Sequence, residues 1–130
     1  MRHRILVVED NLANRELLCD WLEAEEFEVK SAENLEQAMG AFDVEPPHVV
    51  LLDVQLGAED GLSLAKWIRR DPHKRHIPVI AVSAHAMLTD QERMIQAGCS
   101  ACVSKPLNFK LLSDELKRWL AIPVDLHSRL

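Results

Sequence analysis

The sequence predicts an α/β fold, a three-layer sandwich in which five helices cover a central five-stranded parallel sheet. Short apolar runs alternate along the chain with longer amphipathic segments. Each run ends at a polar residue or a turn, and 130 residues with 48% apolar content suffice for one packed domain. Because a helix must connect each strand to the next, the strands are expected to pair in parallel.

The first part of the chain is predicted to contain two strand–helix units and a central strand. Arg4–Val8 is an aliphatic run typical of a buried strand, and apolar residues recur at helical spacing after residue 11. A second strand is predicted over residues 27–31. Asn34 is placed to cap the helix that follows, to about residue 43. Residues 49–52 are uniformly apolar, which indicates a central strand.

The alternation continues through the middle of the chain. A loop through Gly57 and Gly61 leads to a helix that Pro72 ends. A fourth strand is predicted over residues 77–82, and the next helix is expected to end at Gly98 as its C-terminal cap.

A fifth strand and a last helix complete the prediction. Ala101–Ser104 is the strand, and the helix is expected to start at Pro106. Residues 1–121 then form one domain, and residues 122–130 form a loose C-terminal tail.

Composition excludes several classes of protein. The net charge of −6 disfavours direct binding to nucleic acid. No stretch approaches the ~18 apolar residues of a membrane span, and the start of the chain does not read as a signal peptide. Three cysteines, an odd number, argue against a disulfide framework. We therefore expect a cytoplasmic protein with reduced thiols and no membrane contact.

The polar residues that end the strands are expected to meet at one edge of the sheet. The first strand ends in Glu9 and Asp10, and the third ends in Asp53. The fourth ends in Ser83, and the fifth is followed by Lys105. In an open α/β sheet, ligands bind outside the carboxyl ends of the strands.

Three carboxylates, a hydroxyl and an ammonium at one edge indicate a particular chemistry. Crowded carboxylates stay ionised only beside a cation, and Mg²⁺ suits oxygen ligands that leave room for water. Lys105 adds a fixed positive charge and Ser83 a hydroxyl donor. Together these groups fit the transfer of a phosphoryl group onto a carboxylate oxygen, which depends on positioning and charge neutralisation.

Over residues 4–121 the chain resembles the receiver domains of two-component response regulators, and in particular stand-alone receivers of the chemotaxis and cell-cycle type. The motifs that carry the resemblance are residues 5–11, residues 49–53 with Asp60-Gly61 downstream, residues 80–84, and Ser104-Lys105-Pro106. The resemblance implies the flavodoxin-like strand order 2-1-3-4-5. It also implies a non-enzymatic switch that assists its own phosphorylation and dephosphorylation.

The resemblance implies a role for each acid. Asp53 would be the phosphoacceptor and would bind Mg²⁺ together with Asp10. Glu9 would act on the metal through water, and the backbone carbonyl of Gln55 would be a further ligand.

It also implies the groups that meet the phosphoryl oxygens. Ser83, the backbone N–H of Ala84 and Lys105 would contact them, and Pro106 would follow a cis peptide bond. Gln55 and His85 would flank the attacking water and tune the lifetime of the phosphate.

Two positions depart from the family pattern. Gly57 stands where a proline is usual, which is expected to loosen the loop after Asp53. Cys102 stands where the family usually has Tyr or Phe, so no aromatic ring can report phosphorylation there. We therefore expect the switch signal to run through residues 83–87 and the helix after them.

The resemblance implies a sensor histidine kinase or a histidine phosphotransfer protein as phosphodonor, and a downstream protein target that the sequence does not name. Pairing of two copies through the last helix and strand is a further prediction.

Four alternatives stay open from the sequence. A degenerate receiver would act as a phosphate-independent scaffold. A flavodoxin-like cofactor binder needs a phosphate cradle where Glu9-Asp10 stands, and an aspartate-type phosphatase needs an acid where Gln55 stands. A zinc or redox site would use the pairs Cys99/Cys102 and His73/His76.

Overall fold

A computed structural model describes residues 2–84 and 87–121 and confirms the predicted α/β sandwich. The strands of its main sheet are β1 (Arg4–Val8), β2 (Glu28–Ala32), β3 (Val49–Asp53), β4 (Val79–Ser83) and β5 (Ala101–Ser104). The helices are α1 (Leu12–Ala24), α2 (Leu35–Val44), α3 (Leu62–Arg70), α4 (Leu88–Ala97) and α5 (Phe109–Ala121).

All five strands of the sheet are parallel, in the order β2-β1-β3-β4-β5. The chain therefore runs outward from β1 to β2 and then back across to β3. The order reverses between β1 and β3, which is where α/β sheets form their binding crevice. Glu9 follows β1 and Asp53 ends β3, so both acids stand at this reversal.

The sheet is covered on both faces by separate apolar clusters. Residues of α2, α3 and α4 pack against one face, and residues of α1 and α5 pack against the other. Alternate residues of β3 enter the two clusters, with Val50 and Leu52 in the first and Val49 and Leu51 in the second. A central strand buried on both faces explains why its sequence is apolar without alternation.

The strand and helix ends differ from the predictions by one to three residues. β2 and β4 lie slightly later than predicted, at Glu28–Ala32 and Val79–Ser83. The prediction that the last helix starts at Pro106 is wrong, because α5 begins at Phe109. The side chain of Asn108 accepts hydrogen bonds from the N–H groups of the second and third residues of α5, at 3.0 and 3.2 Å, and so caps the helix.

The loop predicted after Asp53 contains a short antiparallel hairpin. Its two strands, Gln55–Leu56 and Glu59–Asp60, are two residues each and form a separate sheet. Gly57 lies in its turn with a φ of +58°, a left-handed conformation that glycine adopts without strain and that the proline ring forbids. The glycine therefore gives this loop a defined turn, where the sequence predicted only looseness.

Among residues 2–84 and 87–121, no helix is long and apolar enough to cross a membrane. The predicted tail, residues 122–130, and the predicted tuning residue His85 lie outside the described residues.

Candidate functional site

Three carboxylates gather at the carboxyl edge of the sheet. Oxygen atoms of Glu9, Asp10 and Asp53 all lie within 4.8 Å of one another. Glu9 is 3% exposed and Asp53 is 5% exposed, whereas Asp10 faces solvent. The cluster is therefore buried on the side of the sheet and open on the side of Asp10.

The backbone places two of these acids at the ends of neighbouring strands. The N–H of Glu9 donates to the carbonyl of Ala32 at 3.0 Å, which extends the pairing of β1 with β2 by one residue. Asp53 pairs in register with Val82, and the N–H of Val54 donates to the carbonyl of Val82 at 3.1 Å. Regular pairing thus holds the backbone up to the point where the carboxylates project.

Lys105 supplies the positive charge that the cluster needs. Its Nζ lies 2.9 Å from Oδ2 of Asp53 and 3.9 Å from Oε2 of Glu9. Burial lowers the pKa of Lys105, but the hydrogen bond to Asp53 and the charges of the three acids outweigh it, and the net effect raises this pKa. The lysine is therefore a permanent cation in this site.

Glu9 has a strongly perturbed ionisation. Burial, followed by its hydrogen bond to Asp53, raises the pKa of Glu9 from 4.5 to about 7. The N–H of Asn11, 3.1 Å from Oε1 of Glu9, and the charge of Lys105 oppose this shift without cancelling it. Without a metal ion, Glu9 thus keeps its proton up to about neutral pH.

The donor set fits Mg²⁺. All three acids offer hard oxygen atoms, and the exposure of Asp10 leaves space for the waters that Mg²⁺ keeps. Burial and the neighbouring Asp53 disfavour the charged form of Glu9, and a divalent cation would favour it. These residues could hold the ion, which would neutralise negative charge beside Asp53.

The hairpin after β3 is fastened to the site by its own backbone. The N–H of Gln55 donates to Oδ1 of Asp53 at 3.0 Å, and the N–H of Gly61 donates to the carbonyl of Val54 at 2.8 Å. A Cβ at Gly61 would clash with the carbonyl oxygen of Asp53 and lie 2.9 Å from that of Val54. Only a glycine at residue 61 permits this close approach to the backbone of Asp53.

The groups predicted to meet phosphoryl oxygens lie at the ends of β4 and β5. Ser83 is the last residue of β4 and is 5% exposed, and Ala84 follows it on the surface. The N–H of Lys105 donates to the carbonyl of Ser83 at 2.9 Å, which ties the two strand ends together. The Lys105–Pro106 peptide bond is cis, as the resemblance implied.

Cys102 lies in β5 opposite Ala81 and is half-buried against the apolar cluster under α2, α3 and α4. Burial raises the pKa of its thiol and that of Cys99, the latter to about 12. Such thiols stay protonated at neutral pH and are poor metal ligands and nucleophiles. Among the residues described, the one group of three or more possible metal ligands is Glu9, Asp10 and Asp53. These observations disfavour the zinc or redox alternative.

Two residues that support the site were not among the site residues predicted from the sequence. Asn11 caps α1 by accepting from the N–H of Asn14 at 3.0 Å, while its own N–H holds Glu9. Arg15 donates from Nη1 to the carbonyl oxygen of Glu9 at 2.9 Å. A signal for Arg15 was present, because a cation in the first turn of a helix opposes the helix dipole and calls for a specific partner.

Comparison with known proteins identifies the class. The family model described as the response regulator receiver domain matches residues 5–117. The chain belongs to this family, whose members take phosphoryl groups from histidine kinases and typically use Mg²⁺, and it is a receiver in a two-component phosphorelay.

A curated relative is the polar-differentiation response regulator DivK of Brucella anthropi. It is 38% identical over 120 residues, which are 92% of this chain and 98% of the relative.

Solved structures agree with the same assignment. The signal receiver domain of a DNA-binding response regulator from Colwellia psychrerythraea superposes with a TM-score of 0.85 at 30% identity, covering 92% of this chain and 99% of that one. The signal receiver domain of a signal transduction histidine kinase from Syntrophus aciditrophicus superposes with a TM-score of 0.84 at 28% identity. The match covers 92% of this chain and 90% of that one.

Proposed function

We propose that Asp53 is the residue that accepts the phosphoryl group, from a sensor histidine kinase or a histidine phosphotransfer protein. In this proposal Asp10 and Asp53 bind Mg²⁺ directly, Glu9 acts through water, and the backbone carbonyl of Gln55 is a further ligand. When bound, the ion would neutralise charge on the incoming phosphoryl group, and the protein's own residues position the acceptor.

The observation that carries the proposal is the contact between Lys105 and Asp53. The ammonium of Lys105 lies 2.9 Å from the buried carboxylate of Asp53 before the reaction. After the reaction the phosphoryl oxygens need a positive charge at the same place. Lys105 can therefore move from the carboxylate to the new phosphate without leaving the site. Such preorganised charge is a large source of rate acceleration in phosphoryl transfer.

Ser83 and Ala84 complete the phosphoryl contacts in this proposal. Ser83 contributes its hydroxyl and Ala84 its backbone N–H, both from the end of β4. In this proposal the same groups assist autodephosphorylation, and Gln55 and His85 would tune it. The protein then acts as a switch and not as an enzyme on a separate substrate.

Phosphorylation is proposed to alter a surface that binds a downstream protein. With cysteine at residue 102, the change travels through residues 83–87 and α4 in place of an aromatic side chain. Pairing of two copies through β5 and α5 remains a part of the proposal, as does the absence of direct contact with nucleic acid. A cytoplasmic location is also proposed, and it agrees with Cys19, Cys99 and Cys102 being free thiols.

The test is phosphorylation by acetyl phosphate in the presence of Mg²⁺, followed by intact-mass measurement. The wild-type protein is expected to gain the mass of one phosphoryl group, and Asp53→Asn is expected to gain none. Chelation of Mg²⁺ should abolish the gain. Absence of the gain in wild type, or its persistence in Asp53→Asn, would contradict the proposal.

A phosphate-independent scaffold is not favoured. Such a degenerate receiver has no need for a buried acceptor carboxylate, a paired lysine and two further acids at one site. Buried charges are costly to keep without a function or a counter-ion.

A further inference from the structure

Arg15 lies next to the acid cluster without taking part in the proposed phosphoryl transfer. It is the fourth residue of α1, and its side chain is only 15% exposed. A guanidinium in the first turn faces the positive end of the helix dipole. Its burial at this position therefore requires strong partners.

Those partners are the backbone carbonyls of two clustered acids. Nη1 of Arg15 donates to the carbonyl oxygen of Glu9 at 2.9 Å and lies 3.4 Å from that of Asp10. Both carbonyls come after Val8, the last residue of β1. One side chain thus holds the segment from which both carboxylates project.

The other side of the guanidinium reaches a second loop. Nη2 of Arg15 is 3.7 Å from Oε2 of Glu33, which follows β2. Glu33 is in turn linked to Gln37 of α2, whose Nε2 donates to Oε1 of Glu33 at 3.3 Å. Arg15 therefore connects the loop between β1 and α1 with the loop between β2 and α2.

We propose that Arg15 is a positioning residue for the metal site, because its guanidinium fixes the backbone of Glu9 and Asp10 and thereby aims both carboxylates toward Asp53. It contacts carbonyl oxygens, so it acts through the geometry of the loop. The inference rests on the proposed function, since aiming ligands has an effect only where a metal ion binds.

The expected effect follows from the demands of Mg²⁺. This ion requires near-octahedral geometry at short distances, so a loosened ligand lowers affinity. Loss of an outer partner of metal ligands typically reduces affinity by ~10–100-fold. We expect Arg15→Met to raise the dissociation constant for Mg²⁺ by about 10-fold. The phosphorylation rate at saturating Mg²⁺ should change much less, because Asp53 and Lys105 are untouched.

Arg4, the first residue of β1, provides a matched control. Its Nε donates to the carbonyl of Pro46 at 3.0 Å and pairs with Glu45 at 2.9 Å. Like Arg15, it joins a backbone carbonyl and a glutamate, but it lies at the opposite end of β1. Arg4→Met should lower the free energy of unfolding and leave the Mg²⁺ dissociation constant unchanged.

The experiment titrates Mg²⁺ into wild type, Arg15→Met, Arg15→Lys and Arg4→Met by calorimetry, with acetyl phosphate kinetics in parallel. Arg15→Lys should recover much of the affinity, because the ammonium can still donate to the carbonyls. The ratio of the Mg²⁺ dissociation constants of Arg15→Met and wild type should be the same at high ionic strength. Salt screens the effect of a distant charge, but it does not screen an effect on ligand position.

The outcomes separate the inference from the proposed function. Wild type that binds no Mg²⁺ and gains no phosphoryl group would overturn both. If wild type binds Mg²⁺ and is phosphorylated, but Arg15→Met binds Mg²⁺ with the same affinity, the inference alone would be overturned. An equal loss of affinity in Arg4→Met, or a ratio that disappears at high salt, would also overturn it. If Arg15→Met fails to fold, Arg15→Lys is compared with wild type instead. We then expect Arg15→Lys to bind Mg²⁺ somewhat more weakly than wild type. An identical dissociation constant in the two proteins would contradict the inference.

Discussion

The ammonium of Lys105 lies 2.9 Å from Oδ2 of Asp53, and it is also within 3.9 Å of Glu9. The lysine, the proton that Glu9 keeps and a bound metal ion would therefore all stabilise the same group of carboxylates. Because each supplies positive charge to one cluster, adding one weakens the hold of the others. This competition leads to the first two predictions.

Removing the ammonium of Lys105 should change Mg²⁺ affinity and the phosphorylation rate in opposite directions. In Lys105→Met, Mg²⁺ no longer shares the carboxylates with a fixed cation, so its affinity should increase several-fold. The phosphorylation rate at saturating Mg²⁺ should fall by about 100-fold, because no ammonium meets the phosphoryl oxygens. Calorimetric titration and acetyl phosphate kinetics measure the two effects.

Lys110→Met is the control for a general loss of positive charge, since Lys110 is exposed on α5. It should change neither quantity. If Lys105→Met bound Mg²⁺ more weakly and reacted at the wild-type rate, the assigned competition would be wrong.

The raised pKa of Glu9 should make the free energy of unfolding depend on pH in Mg²⁺-free buffer. The pKa of Glu9 is 4.5 in the unfolded chain and about 7 in the folded protein. Between these values the unfolded chain ionises while the folded protein keeps its proton, so stability falls as pH rises through this window. Across the window the loss is on the order of 3 kcal/mol.

Glu9→Gln removes this dependence, because a glutamine resembles the protonated acid and does not titrate. Urea unfolding should show that the variant gains stability relative to wild type as pH rises from 4.5 to 7. If the free energy of unfolding changed with pH in the same way in both proteins, the prediction would be wrong, because Glu9 would then ionise normally in the folded state.

Substitution by alanine should have different effects on the free energy of unfolding at Gly61 and at Gly40. Gly61 has an ordinary helical φ of −57°, so Gly61→Ala acts only through its clash with the backbone of Asp53. It should lower the free energy of unfolding by about 1–3 kcal/mol and weaken Mg²⁺ binding by moving the acceptor.

Gly40→Ala meets no atom within 4 Å on α2 and should be neutral or stabilising by up to about 1 kcal/mol. Urea unfolding and Mg²⁺ titration test the pair of variants. Wild-type Mg²⁺ affinity in Gly61→Ala would argue against a fixed hairpin behind the site.

An aromatic residue at 102 should not be needed for the response to phosphate. Cys102 is half-buried against the cluster beneath α4, and the signal is proposed to travel along α4 itself. Hydrogen exchange of peptides from α4 should therefore change on phosphorylation to the same extent in wild type and Cys102→Tyr. A much larger change in Cys102→Tyr would show that the missing ring limits the switch.

Much of the fold was predictable because its patterns are strong. The uniformly apolar run of β3 indicated a strand buried on both faces, and Asn34 and Gly98 marked helix ends that the structure confirms. The carboxyl ends of parallel strands share one edge, so the gathering of Asp53 with Glu9 and Lys105 followed from topology.

Other features left no regular pattern to detect. Strands of two residues, such as Gln55–Leu56, are too short for alternation to show. The start of α5 depends on the cap at Asn108, which competed with the helix-starting tendency of Pro106. The carbonyl contacts of Arg15 depend on backbone positions that only the folded loops define.

The most direct test of the account is chemical identification of the phosphorylated residue. After reaction with acetyl phosphate and Mg²⁺, borohydride reduction converts an aspartyl phosphate to homoserine, and peptide sequencing by mass spectrometry locates it. The account predicts homoserine at residue 53 and nowhere else. Homoserine at residue 10, or unmodified aspartate at residue 53 in a phosphorylated protein, would contradict it.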